Sequence, residues 1–187
     1  MKNLKHLAIV ILAMSFFSFT VFTEKQINIE ESTIEWTGKK VTGQHVGTIN
    51  FESGMLAFDG DNLVGGEFVI DMTTITVTDL TGKGKANLEG HLKSDDFFGV
   101  AAHNTATLKI TNVSKHKKDY EVIGNLTIKG ITKPINFTLV MEANSASAKV
   151  TVNRAEFDVR YGSPSFFNNL KDKAIYDNFD LDVKLSF

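Results

Sequence analysis

The chain contains no cysteine. That excludes disulfides, a thiol nucleophile, thiolate metal sites and a thioether lipid anchor on an N-terminal cysteine. Prolines number only two, Pro134 and Pro164, so no proline-rich linker divides the chain, and no shift in composition marks a second domain. Arginines also number two, Arg154 and Arg160, in a chain of formal charge −2. Nucleic-acid affinity rests on neutralising phosphates with many Lys and Arg, so this balance argues against such a partner. Neither a Gly-x-Ser-x-Gly elbow nor a phosphate-cradling glycine loop with lysine occurs. His45, His91, His103 and His116 are scattered, without the i, i+4 spacing of a metal site. No metal, no cofactor and no enzymatic activity are expected.

What is present divides at residue 23. Met1 to Lys5 is basic, Leu7 to Phe22 is almost wholly apolar, and Glu24-Lys25-Gln26 ends the run. This is the layout of a secretory signal peptide, here residues 1–23, with Val21 and Thr23 the best small-residue pair for cleavage. An uncleaved anchor is the alternative, since the run is near the lower limit for a membrane span. Cleavage removes Lys2 and Lys5, so the charge of −2 becomes −4. Residues 24–187 are expected as one domain, periplasmic or secreted, large enough for its own core without disulfides.

Along that domain the dominant period is two. Phe179, Leu181, Val183, Leu185 and Phe187 alternate with polar residues without a slip, and Ile135, Phe137, Leu139 and Met141 do the same. Leu108 with Ile110, and Leu126 with Ile128, repeat the pattern, which turns one face of each strand to an apolar interior. Glycines and the Lys115–Asp119 and Lys129–Lys133 segments punctuate roughly eight to ten strands, the spacing of a sandwich or a barrel. The long final strand favours closure, because an open edge of that kind invites aggregation. Short helices are expected over Asn87–Phe98 and Pro164–Lys173.

Four stretches then share an order. Trp36-Thr37-Gly38 through His45-Val46-Gly47-Thr48-Ile49 comes first, followed by Gly66-Glu67-Phe68-Val69-Ile70-Asp71 and Gly90-His91-Leu92-Lys93-Ser94-Asp95-Asp96-Phe97-Phe98. Gly124-Asn125-Leu126-Thr127-Ile128-Lys129-Gly130 closes the series. Together they resemble the YceI-like family of periplasmic, lipocalin-like proteins, from about Ile34 to Phe187. The resemblance implies an all-β, extended antiparallel lipocalin-like barrel of about eight strands with one or two short helices. It also implies an internal tunnel for polyisoprenoids or other long-chain amphiphiles. The sequence departs from the family at His103-Asn104-Thr105-Ala106, where a proline is usual, and at Asn153-Arg154, where Asp-Arg is common.

The residues agree in kind. Fifteen phenylalanines stand against three tyrosines and one tryptophan, an apolar load with few polar handles. The tunnel is expected to be lined by Phe51, Phe58, Phe68, Ile70, Phe97, Phe98, Leu108, Ile110, Phe137 and Phe157. His45 and Arg154 are the candidates for holding a polar headgroup at its mouth, Arg154 by its planar fork and His45 beside the small backbone of Gly47. Read as a strand, residues 154–161 put Arg154, Glu156, Asp158 and Arg160 on one face, so a surface ladder of ion pairs is the alternative role for Arg154. The expected partner is a long-chain isoprenoid or similar lipid, with room for transient membrane contact, in a monomer or homodimer. A solid-core structural or adhesive sandwich is the competing reading. A glycosidase built on Asp95-Asp96 or Glu156-Asp158 is a third, weakened because no aromatic sugar platform accompanies those acids in sequence.

Overall fold

The structure, a computed structural model, describes residues 22–187; all but the last two residues of the expected signal segment lie outside them. The described residues form nine strands: β1 Thr23–Gln26, β2 Thr33–Lys40, β3 Gly43–Asp59, β4 Asn62–Val77, β5 Thr105–His116, β6 Asp119–Ile128, β7 Ile131–Met141, β8 Ser145–Asn153 and β9 Ile175–Ser186. β2 to β9 each pair with the next in sequence, and β9 pairs back onto β2, closing an eight-stranded antiparallel barrel. β1 continues the β2 edge along the far half of β3, through Thr23↔Phe58 to Gln26↔Met55, where β4 holds the other edge. Closure leaves one interior, and the two-sheet sandwich does not form.

The connections differ between the two ends. At the lower end the links are tight turns, such as Lys117-Lys118 between β5 and β6, with Lys117 left-handed at φ 58°. At the upper end stand both long connections, residues 78–104 and 154–174. The Lys129-Gly130 turn joining β6 to β7 is also there, with both residues at positive φ (52° and 73°), a backbone that glycine adopts without strain.

Three local expectations are corrected. The helix α1 spans Gly82–Lys93, not Asn87–Phe98. It starts earlier because the Glu89 carboxylate receives the Thr76 hydroxyl and the Val77 N–H, which pins the helix across the end of β4. It stops at Ser94, whose hydroxyl donates to the His91 carbonyl at 2.7 Å, and the chain then drops Phe97 and Phe98 into the interior. Over Pro164–Lys173 only a 3-10 turn at Lys171–Lys173 forms. Phe166 and Phe167 there are exposed and give a helix no face to bury, while Asn169 and Lys171 adopt positive φ. Residues 154–161 are not a strand. Asn153 ends β8, its side-chain oxygen receives the Ala155 N–H, and Arg154–Phe157 turns as a 3-10 helix ending at left-handed Asp158.

Candidate functional site

The alternating residues meet inside the barrel in two adjoining apolar chambers. The upper one, about 130 Å³, lies beneath α1 and the 154–174 loop, between Trp36, Met72, Phe97, Phe98, Phe179 and Ile175. The lower one, about 90 Å³, is walled by Phe51, Phe68, Leu108, Ile110, Phe137 and Val183. Ile34, Ile70, Leu126 and Leu181 border both, so these four aliphatic side chains form a belt between them. β7 and β8 pair only through Leu139–Met141 and Ala146–Ala148. Above that short ladder β7 has no backbone partner on the β8 side, and the lining residues Ile135 and Phe137 are partly exposed.

Of the residues expected to line a tunnel, Phe97, Phe98 and Ile70 border the upper chamber, and Phe51, Phe68, Ile70, Leu108, Ile110 and Phe137 the lower one. Two stand elsewhere. Phe58 is buried at the lower end under the Lys25 ammonium, 5.2 Å from its ring centre, and borders an outer depression instead. Phe157 is buried in the 3-10 turn and borders neither chamber, because the turn replaces the strand that its expected facing required.

Arg154 borders the upper chamber with its side chain only 2% exposed. Its Nε donates to the Tyr176 carbonyl at 3.2 Å, Nη1 to Val159 at 2.8 Å and Nη2 to Ile175 at 2.9 Å. Asp177 lies 3.5 Å from Nη2, and the Phe97 ring faces the guanidinium at 5.4 Å. Burial pulls the Arg154 pKa below its ordinary value, and the Asp177 charge opposes that. The surface ladder with Glu156 is absent; Arg154 ties the 154–174 loop to the first residues of β9. Arg160 pairs with Asp158 on the outside.

His45 borders neither chamber. Its Nδ1 is 2.9 Å from Asp79, whose other oxygen receives the Val46 N–H, so the pair fastens the start of β3 to the end of β4. Burial raises the Asp79 pKa, but the His45 and Val46 hydrogen bonds outweigh it and hold the carboxyl below its usual range. The space beside Gly47, expected to admit a ligand, is filled: a Cβ there would stand 2.5 Å from Trp36 Cζ2. The acids of the glycosidase reading do acquire aromatic neighbours. Asp95, Asp96 and Asp158 share an open outer groove with Tyr161 and Phe167. Among the described residues no cluster of His, Asp and Glu can hold a metal ion, and no helix is long and apolar enough to cross a membrane.

Sequence reasoning missed Trp36 and Met72, which border the upper chamber, and three of the four belt residues, Ile34, Leu126 and Leu181. A signal for Trp36 existed: it alternates with Ile34 on β2, on the face opposite Glu35.

Compared with known proteins, residues 26–187 match the YceI-like domain. The chain belongs to the YceI-like family. A UPF0312 protein of Pectobacterium atrosepticum is 36% identical over 90 residues, which is 48% of this chain and 44% of that relative. The matched stretch thus spans less than half the length of the curated relative. Among solved structures, Burkholderia cenocepacia BcnA superposes with a TM-score of 0.68 at 17% identity, over 85% of this chain and 98% of its own. A polyisoprenoid binding domain from Saccharophagus degradans, implicated in plant cell wall breakdown, gives 0.58 at 14% identity, over 89% and 97%. At these identities the superpositions establish a shared fold.

Proposed function

We propose that this YceI-like chain is a binding protein that carries or stores a long-chain apolar amphiphile, an isoprenoid quinone or polyprenyl lipid, in its lumen. The carrying observation is the pair of adjoining chambers inside a closed barrel, both walled by apolar surface. The polyisoprenoid-binding neighbour of the same fold supports the ligand class. Burying each CH₂ of a chain contributes about 0.8 kcal/mol, so a polyprenyl tail gains substantial affinity after ordering costs.

Capacity sets a condition. An apolar cavity of about 150 Å³ takes a guest of benzene size, and the upper chamber is about 130 Å³. A long chain must therefore occupy both chambers and push the belt side chains apart as it threads. The open seam between β7 and β8 is the route to the lower chamber in this reading. Phe51, Phe68, Ile70, Phe97, Phe98, Leu108, Ile110 and Phe137 grip the tail. Residues 1–23 direct export to the periplasm or beyond, where the protein works as a monomer or homodimer in transient contact with membranes.

A plugged lumen tests the reading. Ala148 borders the lower chamber, and Ala148→Leu fills it from the wall. Titration with an environment-sensitive naphthylamine dye, displaced by a polyprenol, should show at least tenfold weaker binding in this variant with an unchanged far-ultraviolet spectrum. Equal binding by the plugged protein would place the ligand outside the lumen.

A further inference from the structure

Aromatic exposure in this molecule is concentrated. Among the described residues five phenylalanines and tyrosines are exposed, and four of them, Tyr161, Phe166, Phe167 and Tyr176, belong to the 154–174 loop and its junction with β9. Phe166 and Phe167 stand on a built tip. Both their N–H groups donate to the carbonyl of Ser163, at 3.2 and 3.0 Å, and Ser163 itself is fully buried. The Arg160 guanidinium lies over the Phe166 ring at 5.0 Å. Two adjacent phenylalanines held outward in this way leave water only when something covers them.

Beside the tip is the open outer groove, walled by Tyr161 and Phe167. It carries charges of both signs in equal number, Asp95, Asp96 and Asp158 against Lys129, Arg160 and Lys173. Asp158 pairs with Arg160, and Lys129 donates to the backbone carbonyls of Asp95 and Asp158 at 3.4 Å each. Asp95, Asp96 and Lys173 have no ion-pair partner among the described residues. β7 starts just past Lys129, and its edge without a β8 partner runs from Ile131 to Thr138. The groove thus stands at the head of the open seam.

We propose that this end of the barrel seats on a bilayer of zwitterionic phospholipid, with Phe166 and Phe167 inserted past the headgroups and a phosphoethanolamine headgroup in the groove. The docking rests on the carrier reading above for its purpose, and names the surface that supplies the lipid. Three features choose this partner. Aromatic side chains beside an entrance to the lumen gain burial in a bilayer interface. The headgroup ammonium meets the free carboxylates of Asp95 and Asp96, and its phosphate meets the ammonium groups of Lys173 and Lys129. Equal numbers of opposite charges give an anionic surface no net attraction, so acidic lipid is not the target.

The test mixes the exported protein with sedimenting vesicles of phosphatidylethanolamine and phosphatidylcholine, with and without phosphatidylglycerol, at low and high salt. The wild type should bind the neutral vesicles, and Phe166→Ser combined with Phe167→Ser should weaken that binding about tenfold or more. Phosphatidylglycerol or salt should change wild-type binding by no more than about twofold. Titration with the naphthylamine dye in the absence of vesicles reads the lumen separately, and both proteins should bind the dye equally. No vesicle binding by the wild type, equal binding by the double variant, or binding that requires phosphatidylglycerol and fails at high salt would each overturn the docking. So would a dimer in analytical ultracentrifugation that the double variant breaks, since it assigns the face to a second copy. A wild type that binds vesicles but no dye would overturn carriage while the docking stands.

Discussion

Trp36 on β2 lies directly opposite Gly47 on β3, and the indole occupies the space that any side chain on residue 47 would need. An ideal Cβ at Gly47 would stand 2.5 Å from Cζ2 and 2.6 Å from Cε2, and closer still to the backbone carbonyl of Thr76. The glycine therefore sets where the indole rests, and with it the shape of the upper chamber.

Gly47→Ala should destabilise the barrel by about 2 kcal/mol or more, since neither the Thr76 backbone nor the indole can yield without opening β3 from β4. Urea unfolding followed by the single tryptophan measures this, and the emission of the folded variant should shift as the ring moves. A midpoint equal to wild type would show that the strand pair absorbs the methyl group freely.

Arg154→Ala should cost about 3 kcal/mol of folding stability, because it strands Asp177 and three backbone carbonyls in a buried place. Arg154→Lys should recover little, since a single ammonium cannot reproduce the three directions of the fork. Melting temperatures of the two variants decide it. A wild-type melting temperature for Arg154→Ala would mean that the loop is held by other contacts.

Acid should loosen three clamps. Asp79 is held below its usual range by His45 and Val46 against an opposing effect of burial, Glu89 by Thr76 and Val77, and Asp180 by Lys39 and Thr151. A carboxyl with a depressed pKa is less protonated in the folded state than in the unfolded chain. Its contribution is therefore complete above the ordinary carboxylate range and fades as pH falls through about 4 and below. Melting temperature should fall over that window, and less steeply in Asp180→Asn. An identical slope in that variant would remove Asp180 from the account.

The barrel was legible in the sequence because closure and burial act on period two directly. Leu181 and Val183 alternate with charged Asp182 and Lys184, and they line the lumen as that pattern requires. Residues 154–161 show where periodicity misleads. Arg154, Glu156, Asp158 and Arg160 also alternate, yet a side-chain cap from Asn153 turns the chain before pairing can begin. Phe157 and Arg154 take their places from that cap, a contact over two residues that carries no periodic signal. His45 and Asp79 were beyond reach for a different reason: they are 34 residues apart, and only the β3–β4 register brings them together.

Widening the belt should favour longer ligands. Leu181→Ala joins the two chambers by removing one of the four side chains that border both. Stability should fall by about 2 kcal/mol, while affinity for a long polyprenol rises relative to a short one in dye displacement. An unchanged ratio would show that chain length is sensed elsewhere.

Carriage itself is tested most directly by what the protein holds when it leaves its own cell. The protein is purified from its native host without detergent and extracted with organic solvent, and the extract is analysed by mass spectrometry against the quantity of protein. The account predicts one long-chain isoprenoid lipid in a ratio approaching one per chain, and its loss from the Ala148→Leu variant. An extract with no lipid above background, from protein that is folded, would contradict it.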